Sequence, residues 1–148
     1  MDARPIPKLV FEIVGDLRLA VMCQGTENPT DAEWDAYLDA LGPLLALAAG
    51  YRVLVVTEGG RPSQSQHARL RERQAGAKPH VAVVTAVAGV RFVASVIALV
   101  NGNLRCFAPD QRDAALASLG LLENEVVVVD ALVKRLLLQL SSARPSAA

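Results

Sequence analysis

Cysteine, aromatic residues and surplus charge are all scarce in this chain of 148 residues, and each scarcity removes a class of function. Cys23 and Cys106 stand alone inside apolar runs, with no second Cys or His at metal-ligand spacing. They read as small buried side chains in a reducing cytoplasm, and no signal-peptide pattern opens the chain. Fifteen basic residues balance fifteen acidic ones, so the broad basic field of a nucleic-acid binder is missing. Catalytic signatures are equally thin. There is no G-x-S-x-G elbow, no dinucleotide fingerprint and no carboxylate pair, and Gly59-Gly60 is too short for a phosphate-binding motif. Ser65 and His67 lie two apart in a helical stretch, where side chains do not face each other. No catalytic residue, cofactor or metal is therefore expected.

What the chain does have is apolar character: 52% of its residues are hydrophobic and 20% charged, the balance of one folded domain. The stretch from Tyr51 to Leu70 organises the rest. Tyr51 to Thr57 is a β-branched run suited to a central strand covered on both faces. Glu58-Gly59-Gly60-Arg61-Pro62-Ser63 then breaks the chain, and Gln64 to Gln74 reads as a polar, basic helix. A strand, glycine loop and helix in that order present backbone N–H groups at the helix start, the first candidate for a working surface.

Around it the elements alternate. Leu9 to Val14 and Leu17 to Gln24 read as an antiparallel hairpin turning at Gly15-Asp16. Thr30 and Glu33 fit a capping box that opens a helix, with Trp34, Tyr37, Leu38, Leu41, Leu45 and Ala48 on its inner face. Pro43 interrupts that helix and Gly50 caps it. His80 to Ala86 is a strand, and Val90 to Val100 a buried helix after a turn at Gly89. Arg91 disfavours a membrane span there, at about 2.5–3.5 kcal/mol on insertion scales. Leu104 to Ala108 is the last strand, and Pro109-Asp110 opens a helix with Ala114, Ala115, Leu116 and Leu119 inward and Gly120 at its end. The expectation is a single α/β domain, β-β-α-β-α-β-α-β-α with a mixed sheet, over residues 9–121. A flexible arm, 1–8, precedes it; an extra C-terminal helix, 122–140, and a disordered tail, 141–148, follow.

Charge is segregated within this order. Glu27 to Asp39 holds five acids and no base, and Arg61 to Lys78 holds five bases against Glu72 alone. Solvated helix faces, self-complementary association or an anionic partner would each account for it.

The element order, carried by Tyr51–Glu58, His80–Ala86, Asn103-Leu104-Arg105-Cys106-Phe107 and Gln111–Leu119, resembles the STAS fold of anti-sigma-factor antagonists. It is closer to the sporulation-antagonist-like branch grouped with lipid-binding CRAL-TRIO folds, over about Val10 to Leu121. The resemblance implies regulatory binding of a protein partner without catalysis. It also implies a phosphorylated serine at the start of the helix after the third strand, where Ser63 and Ser65 stand. The family's Asp-Ser-Ser-Gly is Pro62-Ser63-Gln64-Ser65-Gln66 here. Gly59, Gly60, Arg61 and Arg69 would complete that partner-binding or phospho-switch surface. The CRAL-TRIO relationship implies an alternative, a carrier of an apolar ligand or a protein bound at a membrane surface.

The final helix is apolar nearly all round. Val126, Val129, Leu132, Val133, Leu136, Leu137 and Leu140 make one face; Val127, Val128, Ala131 and Leu138 make much of another. A sheet covers only one of them, so Val128, Ala131 and Leu138 are expected to mediate a homodimer.

Overall fold

β-Branched and aliphatic runs build a five-stranded sheet in the order β1-β2-β3-β4-β5, seen in a computed structural model that describes residues 6–90 and 103–142. The strands are β1 (Leu9–Val14), β2 (Leu19–Gln24), β3 (Arg52–Thr57), β4 (His80–Val84) and β5 (Leu104–Phe107). β1 pairs antiparallel with β2, and β2 through β5 run parallel. The chain is thus α/β with a mixed sheet; the first helix, Asp31–Leu45, carries the crossover from β2 to β3 and the second, Gln64–Gln74, that from β3 to β4. The predicted helix Val90 to Val100, with Arg91, lies outside the described residues beyond Val90, as do residues 1–5 of the arm and 143–148 of the tail.

The hairpin differs from expectation. Val14 opposes Leu19, and a 3-10 turn over Gly15–Leu17 followed by left-handed Arg18 joins the strands. Gly15-Asp16 is therefore not a two-residue turn, and β2 starts two residues later than expected. Leu17 lies in the turn rather than in β2, yet it still packs with Leu19, Val21 and Cys23, the face that the alternating pattern assigned it.

Each sheet face carries its own helices. α1 (Asp31–Leu45) lays Trp34, Tyr37, Leu38, Leu41 and Leu44 against Ala20, Met22 and Val53. The capping box is present: Thr30 Oγ1 accepts from Glu33 N–H at 3.1 Å, and Glu33 Oε1 accepts from Thr30 N–H at 2.9 Å. Pro43 sits in the last turn, and the helix ends at Leu45 with Ala46 as its cap. Gly50, at φ 83°, turns the chain four residues further on, so it is not the cap, and Ala48 is exposed beyond the helix. Leu44 takes the buried place expected of Ala48. α2 (Gln64–Gln74) lies beside α1 on this face and keeps its predicted bounds.

On the opposite face α3 (Arg112–Ser118) packs on β4 and β5, and α4 (Glu123–Ser142) on β1 and β2. Ala115, Leu116, Val129, Val133 and Leu136 meet Leu19, Val21, Cys23, Leu54, Ala82 and Val84. Ala114 is exposed, because α3 starts only at Arg112 after a 3-10 turn and its inward stripe is set by Ala115, Leu116 and Leu119. Burying each large side chain here contributes about 1.5–3 kcal/mol.

Candidate functional site

The loop after β3 closes on itself through its own sequence. Thr57 ends the strand buried; its hydroxyl donates to Gly60 O at 2.5 Å and accepts from Gly59 N–H at 3.1 Å. Gly59 has φ +134°, and a Cβ on Gly60 would stand 2.2 Å from Glu27 O. Gly59 is thus required by its left-handed backbone, and Gly60 by backbone packed on backbone. The loop's own N–H groups are used internally. Glu58 N–H donates to Gln24 O at 3.1 Å, Gly60 N–H to Gly25 O at 2.8 Å and Arg61 N–H to Asn28 Oδ1 at 3.1 Å.

Ser63 is the N-cap of α2. Its Oγ accepts from Gln66 N–H at 3.2 Å, and Gln66 Oε1 accepts from Ser63 N–H at 2.9 Å. Ser65 is exposed one turn-position on, its Oγ 3.2 Å from Ser63 Oγ. Ser63 is thus the cap, and the exposed Ser65 hydroxyl hydrogen-bonds to it without capping the helix itself. Arg61 is exposed near this end, while His67 is held below its usual pKa by partial burial and by the Arg71 and Arg61 charges.

Arg69 does not face the serines. It pairs with Asp35 of α1 at 2.9 Å, and Arg73 pairs with Asp39 at 3.0 Å. The acidic and basic segments are complementary within one chain, because two neighbouring helices bring them together. Neither merely solvated faces nor an anionic partner is needed to explain these four residues.

Gln66, which sequence reasoning passed over, is the hub. It is 3% exposed; its Nε2 donates to Pro29 O and Asp31 Oδ1, both at 3.0 Å, and its backbone O accepts from Trp34 Nε1–H at 2.9 Å. Its polar label hid this, since a glutamine three residues after a serine signals a capping box but not burial. Glu33 was likewise read only as a capping residue. Its Oε2 also accepts from Lys8 and Leu9 N–H at 2.9 and 3.3 Å, fixing the edge strand to α1. Burial alone would raise its pKa, but the N–H groups of Thr30, Lys8 and Leu9 hold it below the ordinary carboxylate value.

The second candidate surface is the outer face of α4. Val127, Val128 and Leu138 are 70%, 61% and 66% exposed, Leu122 just before the helix is 65% exposed, and Ala131 lies among them. The inner face is buried on the sheet as the pattern required. Arg112 Nε meets Asp130 Oδ1 at 2.7 Å, Lys134 meets Asp130 Oδ2 at 3.1 Å and Arg135 meets Glu12 Oε1 at 2.8 Å, so the flanking charges are engaged.

Two clefts flank the sheet ends. One, of about 120 Å³, lies by Lys8, Gly25, Thr26, Glu27 and Glu58; the other, of about 260 Å³, lies at the opposite edge by Arg18, Arg52 and Lys78. No described helix is long and apolar enough to cross a membrane, and no described group of three His, Cys, Asp or Glu side chains is arranged to hold a metal. No protein-family model matches the chain, and no curated protein or solved structure is significantly similar to it.

Proposed function

We propose that this protein is a non-catalytic regulatory or scaffold module of STAS-like type that works as a homodimer, pairing through α4 and presenting the α2 surface to a protein partner. The observation that carries the reading is the exposed row on α4. Val127, Ala131, Lys134 and Leu138 follow a four-three-four spacing, a straight seam along one side of the helix. Set against a second copy running antiparallel, Val127 meets the other Leu138, and small Ala131 meets the stem of the other Lys134. A two-fold contact covers both apolar ends at once. Left in water, each large side chain forgoes about 1.5–3 kcal/mol of available burial.

The fold supports the interaction reading over the carrier of an apolar ligand. α4 packs on β1 and β2, and both clefts have charged walls. Partner binding belongs to the exposed surface of Arg61, Ser65, His67 and Arg71, since Ser63, Gly59, Gly60 and Arg69 are committed to the fold. A phosphate on Ser65 would sit in the first turn of α2, where the helix dipole favours negative charge.

Light scattering on the wild type and on a Val128→Glu, Leu138→Glu double variant tests the assembly. The reading predicts two chains per particle for the wild type and one folded chain, with an unchanged far-ultraviolet spectrum, for the variant. A wild type that stays a single chain at high micromolar concentration overturns it.

A further inference from the structure

The larger cleft, at the amino-terminal ends of the parallel strands, has a composition unlike the rest of the surface. Arg18, Arg52, Lys78 and His80 line it together with Gly50 and Tyr51, and no carboxylate is among its lining residues. The topology gathers them: Leu19, Arg52 and His80 are register neighbours across β2, β3 and β4, so residues 18, 52 and 78–80 fall in a row. Arg18, Arg52, Lys78 and His80 form no ion pair among the described residues, unlike Lys8, Arg69, Arg73, Arg112, Lys134 and Arg135.

The positions are also built. Arg52 donates from Nε and Nη2 to Leu17 O and from Nη1 to Leu119 O at 3.1 Å, which fixes the guanidinium plane and leaves an N–H on each terminal nitrogen. Arg18 stands at φ 49°, ψ 46°, a left-handed position that Gly or Asn would occupy more easily. Its O accepts from Arg52 N–H at 2.8 Å. Lys78 and His80 flank Pro79, which is buried and anchors both. Glu125 is the carboxylate whose charge acts on Arg52, and its Oε1 is engaged by Leu122 N–H at 2.8 Å.

We infer that this cleft binds the phosphoryl group of a small phosphorylated molecule. Three permanent cations around one opening match a dianion better than a single carboxylate, and guanidinium N–H groups suit phosphate oxygens. The volume of about 260 Å³ lies below the range of about 300–1,000 Å³ typical of drug-sized ligands, which limits the organic part to something the size of a sugar. This inference does not rest on the dimer, whose seam residues Val127, Ala131, Lys134 and Leu138 are not among those lining the cleft.

Titration of the full chain with ribose 5-phosphate at low salt, followed by backbone amide NMR, tests it, with ribose as the uncharged control. The expected result is saturable shifts at Arg18, Gly50, Arg52 and His80, and none with ribose. Arg18→Asn, which suits the left-handed backbone, and Lys78→Gln, at an exposed position, should each weaken binding by about tenfold. Both should leave the melting temperature unchanged or, for Arg18→Asn, raised. Shifts that do not saturate, that are as large at Arg61 and Arg71, or that survive both substitutions would mean an adventitious ion only and overturn the assignment.

Discussion

α2, which sits against α1, and α4, which sits on the sheet, are held in place by opposite means. α2 buries only Gln66 and docks through polar contacts: Trp34 to Gln66 O, Gln66 to Pro29 and Asp31, Gln74 Nε2 to Tyr51 Oη at 2.9 Å, and the two arginine–aspartate pairs. α4 buries Val129, Leu132, Val133, Leu136 and Leu140 and has apolar residues left over on the other side. Hydrogen bonds and ion pairs fix where a helix sits and contribute modestly; apolar burial contributes most of the energy without fixing a unique partner. α2 is accordingly placed by its own chain, whereas α4 has surface to spare for a second one.

The comparison breaks first at its apolar side. Leu136, 2% exposed between α4 and the sheet, should cost about 2–5 kcal/mol when changed to Ala, seen as a lower denaturation midpoint with an unchanged urea m-value. A cost below 1 kcal/mol, on the order of a surface change, would mean that α4 is not anchored there. On the polar side Gln66→Ala should cost about 1–3 kcal/mol, because it removes the acceptor for Ser63 N–H in the capping box and leaves buried Pro29 O without its donor. Ser63→Ala should cost about 1 kcal/mol and Ser65→Ala close to nothing, since only Ser63 caps the helix.

Glu33 sharpens the comparison by pH. Its folded pKa is below the ordinary value of 4.5, so its contribution is present above that value and lost as the pH falls through the lower folded pKa. Acid titration of stability should therefore be shallower in Glu33→Gln than in the wild type. Equal slopes would remove Glu33 from the contacts that tie β1 to α1. Among the ion pairs, Arg69→Ala and Arg73→Ala should each cost about 0.2–1 kcal/mol, less at high salt, as exposed pairs do.

The same contrast explains what could be read in advance. The capping box at Thr30 and Glu33, the bounds of α2 and the two faces of α4 depend on residues a few positions apart, so the pattern carries them. The pairing of Arg69 with Asp35, the reach of Glu33 to Lys8, and the grip of Arg52 on Leu17 and Leu119 depend on elements distant in the chain. Both charged segments were visible, but only the docking of α2 on α1 turns them into partners. The glycine loop misled for a related reason: its free N–H groups were counted before the segment from Gly25 to Asn28 was known to lie on them. The basic cleft went unseen altogether, because Arg18, Arg52 and Lys78 come from three connections that meet only at the strand starts.

Sedimentation equilibrium of the wild type, run at low salt and again near 1 M, where the Debye length is only about 3 Å, bears most directly on α4 as an apolar self-association face. Pairing through Val127, Val128, Ala131 and Leu138 predicts a dimer whose association is as strong or stronger at high salt. A protein that is monomeric under both conditions, or a dimer that dissociates at high salt as contacts of the arginine-rich α2 surface would, contradicts it.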